Sequence, residues 1–134
     1  MTQIKGTNRE FLQILKALEA VKGLKGKSFA LLVARNINAL TEHLQPIEKE
    51  SIPSIEFQKL SVKVQEKIEA EDSDAIEALE KEHAELIEER KQQLETVEKM
   101  LNMQSEVKVN LISEDILPND ITADQTYGLL KLLK

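Results

Sequence analysis

Chemistry in this 134-residue chain would have to start from its two histidines, because there is no cysteine to supply a thiolate. His83 closes Glu80-Lys81-Glu82-His83, a lone Glu-x-x-His. A di-iron carboxylate bundle needs two such motifs plus a Glu from each of two further helices. The other histidine, His43, has Ala39 where the second Glu should stand. His83 is therefore read as a partly buried packing residue. Gly26-Lys27-Ser28 imitates the end of a phosphate-binding loop, but the required earlier glycine is replaced by Val21, and a helix precedes it in place of a strand. Gly23-Leu24-Lys25-Gly26 has the spacing of a KH-type clamp without the three-stranded sheet that fold needs. Glu71-Asp72-Ser73-Asp74 lacks the glycine and terminal Glu of a calcium loop. Carboxylate pairs are abundant on the helices, but without a pocket they are not general acid–base catalysts. No Ser-His-Asp set stands out. The expectation is a non-enzyme with no catalytic, metal-binding or cofactor-binding residue.

Composition narrows the class further. The length suits one domain with a single core. Apolar residues make up 41% and aromatics 3%, so the core must be built from Leu, Ile and Val. Without tryptophan, and with only Phe11, Phe29, Phe57 and Tyr127, there is no stacking platform for single-stranded nucleic acid. Nucleic acid is therefore not expected as a partner. The N-terminus lacks the apolar core of a signal peptide, and no apolar run could span a bilayer. A cytosolic location, with no membrane contact, is expected. The net charge of −6 is uneven: residues 1–35 carry +5 and residues 56–103 carry −7. Such faces are usually solvated, or they attract one another within the fold or between subunits.

Thr7-Asn8-Arg9-Glu10 is a capping box that opens a helix over 8–22. Its apolar stripe is Phe11, Ile14, Leu15, Leu18 and Val21. A second helix over 28–45 carries Phe29, Leu32, Val33, Ile37, Leu40 and Leu44, with Asn36 in the middle of the stripe. That position suits a residue fixing register or bonding a neighbour's backbone, with Arg35 one step nearer solvent or an acidic partner. Pro46 should kink or end this helix. Helices over 56–70 and 75–102 follow, either separated by a turn at Glu71–Asp74 or fused into one. Asp74-Ala75-Ile76-Glu77 is a possible capping box. Val107, Val109 and Leu111 alternate with polar residues, which predicts a half-buried strand over 107–112. Its only partner in the chain is the weak segment Thr2–Lys5, so pairing with a second subunit is the alternative. Thr122-Ala123-Asp124-Gln125 caps a short terminal helix.

The predicted fold is mainly α. A helical hairpin occupies 1–50, a long acidic helical arm 51–103, and one short strand with a terminal helix 104–134. The helix around Ala34-Arg35-Asn36, the Glu/Lys-rich middle and the run Glu106-Val107-Lys108-Val109-Asn110-Leu111-Ile112 before a Leu-rich end together resemble a family of small helical proteins of tailed bacteriophages and prophages. The resemblance spans most of the chain and carries no established activity. It implies a phage-encoded protein in the host cytoplasm; the strand without a strong partner and the wide apolar stripe of the arm add the expectation of a dimer or higher oligomer, serving as a virion component or assembly factor. The alternative is an inhibitor of a host protein that presents an acidic surface. Arg35, Asn36, Val107, Val109 and Leu111 are the candidate contact residues.

Overall fold

The computed structural model describes residues 1–134. The protein is mainly α, with six helices and a two-stranded antiparallel sheet. The order is β1 (Thr2–Thr7), α1 (Asn8–Val21), α2 (Lys27–Ser51), α3 (Ile55–Glu69), α4 (Ser73–Glu82), α5 (Ala84–Asn102), β2 (Gln104–Val109) and α6 (Ala123–Gly128). Short 3-10 turns cover Glu114–Ile116 and Leu130–Leu132. The chain forms two compact units. One joins Met1–Pro46 to Met100–Lys134, and the other is Ile47–Lys99. The N-terminal stretch and the tail share a unit because β1 pairs with β2.

In the first unit, Thr2 to Thr7 pair antiparallel with Val109 to Gln104. The N-terminal segment is thus the strand's partner, and the ladder needs no second subunit. With Ile4 its only large apolar side chain, β1 is nearly silent in the sequence. β2 runs over 104–109 and not 107–112. Val107 and Val109 are buried, but the chain turns away after Val109, so Leu111 is only half-buried and Ile112 takes the interior place. The Ile112 amide donates to the Leu132 carbonyl at 2.7 Å and the Lys134 amide to the Ile112 carbonyl at 3.1 Å, a parallel bridge that ties down the tail.

α1 starts where the capping box predicts: Thr7 Oγ1 accepts from the Glu10 amide at 3.2 Å. Phe11, Ile14, Leu18 and Val21 turn inward. Gly26 holds φ at +131°, a conformation that L side chains rarely adopt, and so lets the chain reverse into α2. Phe29, Val33, Asn36, Leu40 and Leu44 form the buried face of α2, while Leu32 and Ile37 are only half-buried. Thr122 and Gln125 cap α6 reciprocally at 3.1 and 3.0 Å. At Gly128 a Cβ would stand 2.8 Å from that of Ala17, so glycine lets α6 lie close against α1.

Pro46 does not end α2, which continues to Ser51. The proline withdraws one amide from the Glu42 carbonyl, and Glu42 is exposed, so water can take that place.

In the second unit, Ser54 caps α3 by accepting from the Phe57 amide at 3.1 Å. The turn at 71–74 is present. Glu71 is left-handed at φ +56°, and Asp72, two residues before the expected cap, accepts from the Ala75 amide at 3.1 Å. The segment over 75–102 is two helices, parted at His83 with φ −110° and ψ 29°. The His83 amide still bonds Leu79 and the Ile87 amide still bonds His83, so the apolar period reads straight through the break. The orphan carbonyls at the end of α2 are met from α5: Arg90 donates to Ser51 at 3.0 Å, and Gln93 to Glu50 at 2.6 Å and Ile52 at 2.7 Å. Every buried apolar side chain except Ile47 and Leu60 belongs to the first unit. No helix is long and apolar enough to cross a membrane.

Candidate functional site

The fold assembles a polar cluster in the first unit from residues far apart in sequence. Asn8 at the start of α1, His43 on α2 and Ser105 on β2 meet there. His43 Nε2 lies 2.9 Å from Asn8 Oδ1 and 3.0 Å from Ser105 Oγ, and the Ser105 hydroxyl donates to Asn8 Oδ1 at 2.5 Å. Asn8 Nδ2 donates to the Met100 carbonyl at 2.8 Å, which turns Oδ1 toward the imidazole. His43 Nε2 therefore carries the proton and donates. An imidazole protonated at that nitrogen cannot take the proton of Ser105, so this Ser-His-Asn group does not activate a nucleophile. Burial lowers the His43 pKa and favours the neutral ring, whose centroid lies 5.6 Å from that of Phe11, edge to face. Nothing in the sequence announces this cluster, since each member sits in an ordinary polar position.

Asn36 is fully buried. Its Nδ2 donates to the Asn110 carbonyl at 2.8 Å, and its Oδ1 accepts from the Asn110 amide at 2.8 Å. Its partner is thus a neighbour's backbone, just beyond β2. Arg35 is exposed. Val107 and Val109 are interior packing residues and are closed to a partner, a correction to their place among the contact residues. Leu111, half-buried and outside the strand, does not continue their face. Gly23 to Gly26 lie in the α1–α2 turn, and Lys27 opens α2. His83 is half-buried, and no group of three or more His, Asp or Glu is placed to hold a metal ion. Lys131 pairs with Glu10, and this pairing, with the Thr7 backbone, holds the Glu10 carboxyl below the usual range.

Exposed large apolar side chains lie on both units: Met1, Leu31, Met103, Tyr127 and Leu130 belong to the first, which also has a deep core, while the second has little core beneath its own. Ile52, Ile55, Val62, Ile68 and Leu94 are each about half exposed or more. Between α3 and α5, Phe57, Ile87 and Leu94 line a shallow, almost wholly apolar groove bordered by Arg90, Lys91, Glu95 and Glu98. The Arg90 guanidinium lies over the Phe57 ring, 5.8 Å from its centroid. The unit carries eight basic and sixteen acidic side chains.

The fold and this surface define a mainly α protein with a first unit that holds nearly all of the core and an acidic helical unit that buries little of its apolar surface. No protein-family model, curated protein or solved structure matches the chain.

Proposed function

We propose that this is a non-enzymatic interaction protein that self-associates through its acidic helical unit, in a phage setting as a virion component or assembly factor. The observation that carries this reading is the distribution of burial. The second unit buries only the apolar side chains of Ile47 and Leu60, while Ile55, Val62, Ile68 and Leu94 on its helices and Ile52 in the α2–α3 connector stay accessible. Contiguous exposed apolar surface edged by charge is the mark of a protein contact site. The phage setting rests on the sequence resemblance alone. Sedimentation of the purified chain at micromolar concentration is expected to give at least twice the monomer mass of 15.2 kDa. A monomer across that range overturns self-association. Fractionation of infected cells tests the setting, with the chain expected in the particle fraction.

The excess of acidic side chains on the second unit favours one further reading, an inhibitor that presents carboxylates to a basic host surface. That reading expects the chain in the soluble fraction, bound to a host protein in a salt-sensitive complex.

A further inference from the structure

We infer that α2 carries a second self-contact, in which its outer shoulder packs on the same shoulder of a second copy, antiparallel, about a two-fold axis between Ile37 and Asn38. This contact goes beyond the one proposed for the acidic unit, because every residue of it lies in the first unit. A mostly apolar trough runs along the shoulder, lined by Ala30, Val33, Ala34, Ile37 and Thr41, with Lys22 at its edge. Ala30, Ala34, Asn38 and Thr41 are exposed, and Leu31, which adjoins Ala34 on the helix, is 49% exposed. Spacings of three and four residues keep these positions on one face.

The face is complementary to itself, which an isologous contact requires and which makes a second copy its occupant. About that axis Ile37 meets Asn38, Ala34 meets Thr41 and Ala30 meets Gln45, each twice by symmetry. All six positions are uncharged, so the seam holds no repulsion. Alanine at 30 and 34 lets the two helices approach to about 8 Å, the close end of helix packing. Charge fixes the direction. Arg35 and Glu42 flank the face on one side, both exposed and seven residues apart, about 10 Å along the axis. Neither has an ion-pair partner in its own chain. Parallel copies would set Arg35 beside Arg35 and Glu42 beside Glu42. Antiparallel copies bring Arg35 of each to within about 3 Å, measured along the axis, of Glu42 of the other.

The test uses the full chain and reads mass by sedimentation together with helicity by circular dichroism. Ala34→Arg is expected to retain helicity and at least halve the associated mass. Arg35→Glu and Glu42→Arg are each expected to weaken this contact roughly tenfold, since each turns two symmetric attractions into repulsions. The double swap Arg35→Glu/Glu42→Arg is expected to restore it. The absence of native cysteine allows a second readout. An equimolar mixture of Ala34→Cys and Thr41→Cys chains should form the mixed disulfide under mild oxidation in preference to either homodisulfide. Preferential homodisulfides would overturn the antiparallel direction. An oligomer indifferent to Ala34→Arg, with no mixed disulfide, would overturn this contact and leave the reading of the acidic unit standing. A mixed disulfide together with an Ala34→Arg chain that is wholly monomeric would keep this contact and remove the one on the acidic unit. A wild-type monomer across micromolar concentrations would overturn both.

Discussion

Asn36 extends the sheet with a side chain. The ladder of β1 ends where Thr2 pairs with Val109, and the backbone of Asn110 continues past it into the interior. The carboxamide of Asn36 then offers one donor and one acceptor, both at 2.8 Å, as the next strand residue would. Replacing it with leucine keeps similar volume but leaves a buried amide and carbonyl without partners. The expected cost is about 2–4 kcal/mol, read as a lower urea midpoint at unchanged slope. An unchanged midpoint would remove Asn36 from its structural role. His43 adds a pH dependence. Burial lowers its folded pKa, so below the ordinary value of about 6.5 the unfolded chain binds more protons than the folded one. Stability then rises with pH across the window between the folded and unfolded values. Acidification through about 6.5 removes it, and the loss levels off below the folded value. The urea midpoint is expected to fall between about pH 7 and pH 5, more steeply than in His43→Gln. Equal slopes for the two chains would exclude His43 as the source.

At the scale of elements, what the sequence reveals follows from where hydrogen bonds are local. The caps at Thr7 and Thr122 and the stripe Phe11, Ile14, Leu18, Val21 lie within a few residues of what they stabilise, so type and boundary can both be read. Asn36 shows itself as a polar residue on an apolar face, but its partner 74 residues away does not. β1 is hidden because its stability comes from β2, about a hundred residues later, and not from its own composition. Pro46 misleads because the lost bond falls on an exposed turn, where water can stand in. The break at His83 is hidden because the hydrogen bonds on either side of it persist. The groove is partly legible: Ile87, Leu94, Lys91 and Glu98 have helical spacing, but only the packing of α3 against α5 brings Phe57 beside them.

Across the whole molecule, the two units differ in how far packing supports their helices. Phe11, Leu18, Phe29, Val33, Leu40, Val109, Ile112, Leu129 and Leu132 are all at most 1% exposed, and all lie in the first unit. The second unit has Ile47 and Leu60, with caps at Ser54 and Asp72 and the bonds from Arg90 and Gln93 to help them. Helices owe most of their stability to burying an apolar face, and isolated helices of this length are marginal in water. The free energy of local opening should therefore be lower in α3 and α4 than in α1 and the sheet. Amide hydrogen exchange measured at a concentration where the chain is monomeric is expected to show early exchange over 55–82 and the slowest exchange over 8–21 and 104–109. The single change Leu40→Ala, in the first unit, should cost about 2–5 kcal/mol, while Leu94→Ala in the dilute monomer should cost under about 1 kcal/mol. Raising the concentration until the chain associates should slow exchange in α5 ahead of α1, because the partner supplies the cover that the second unit lacks. Uniform protection over both units in the monomer would show that the acidic unit is stable without a partner, and would remove the energetic reason for it to seek one.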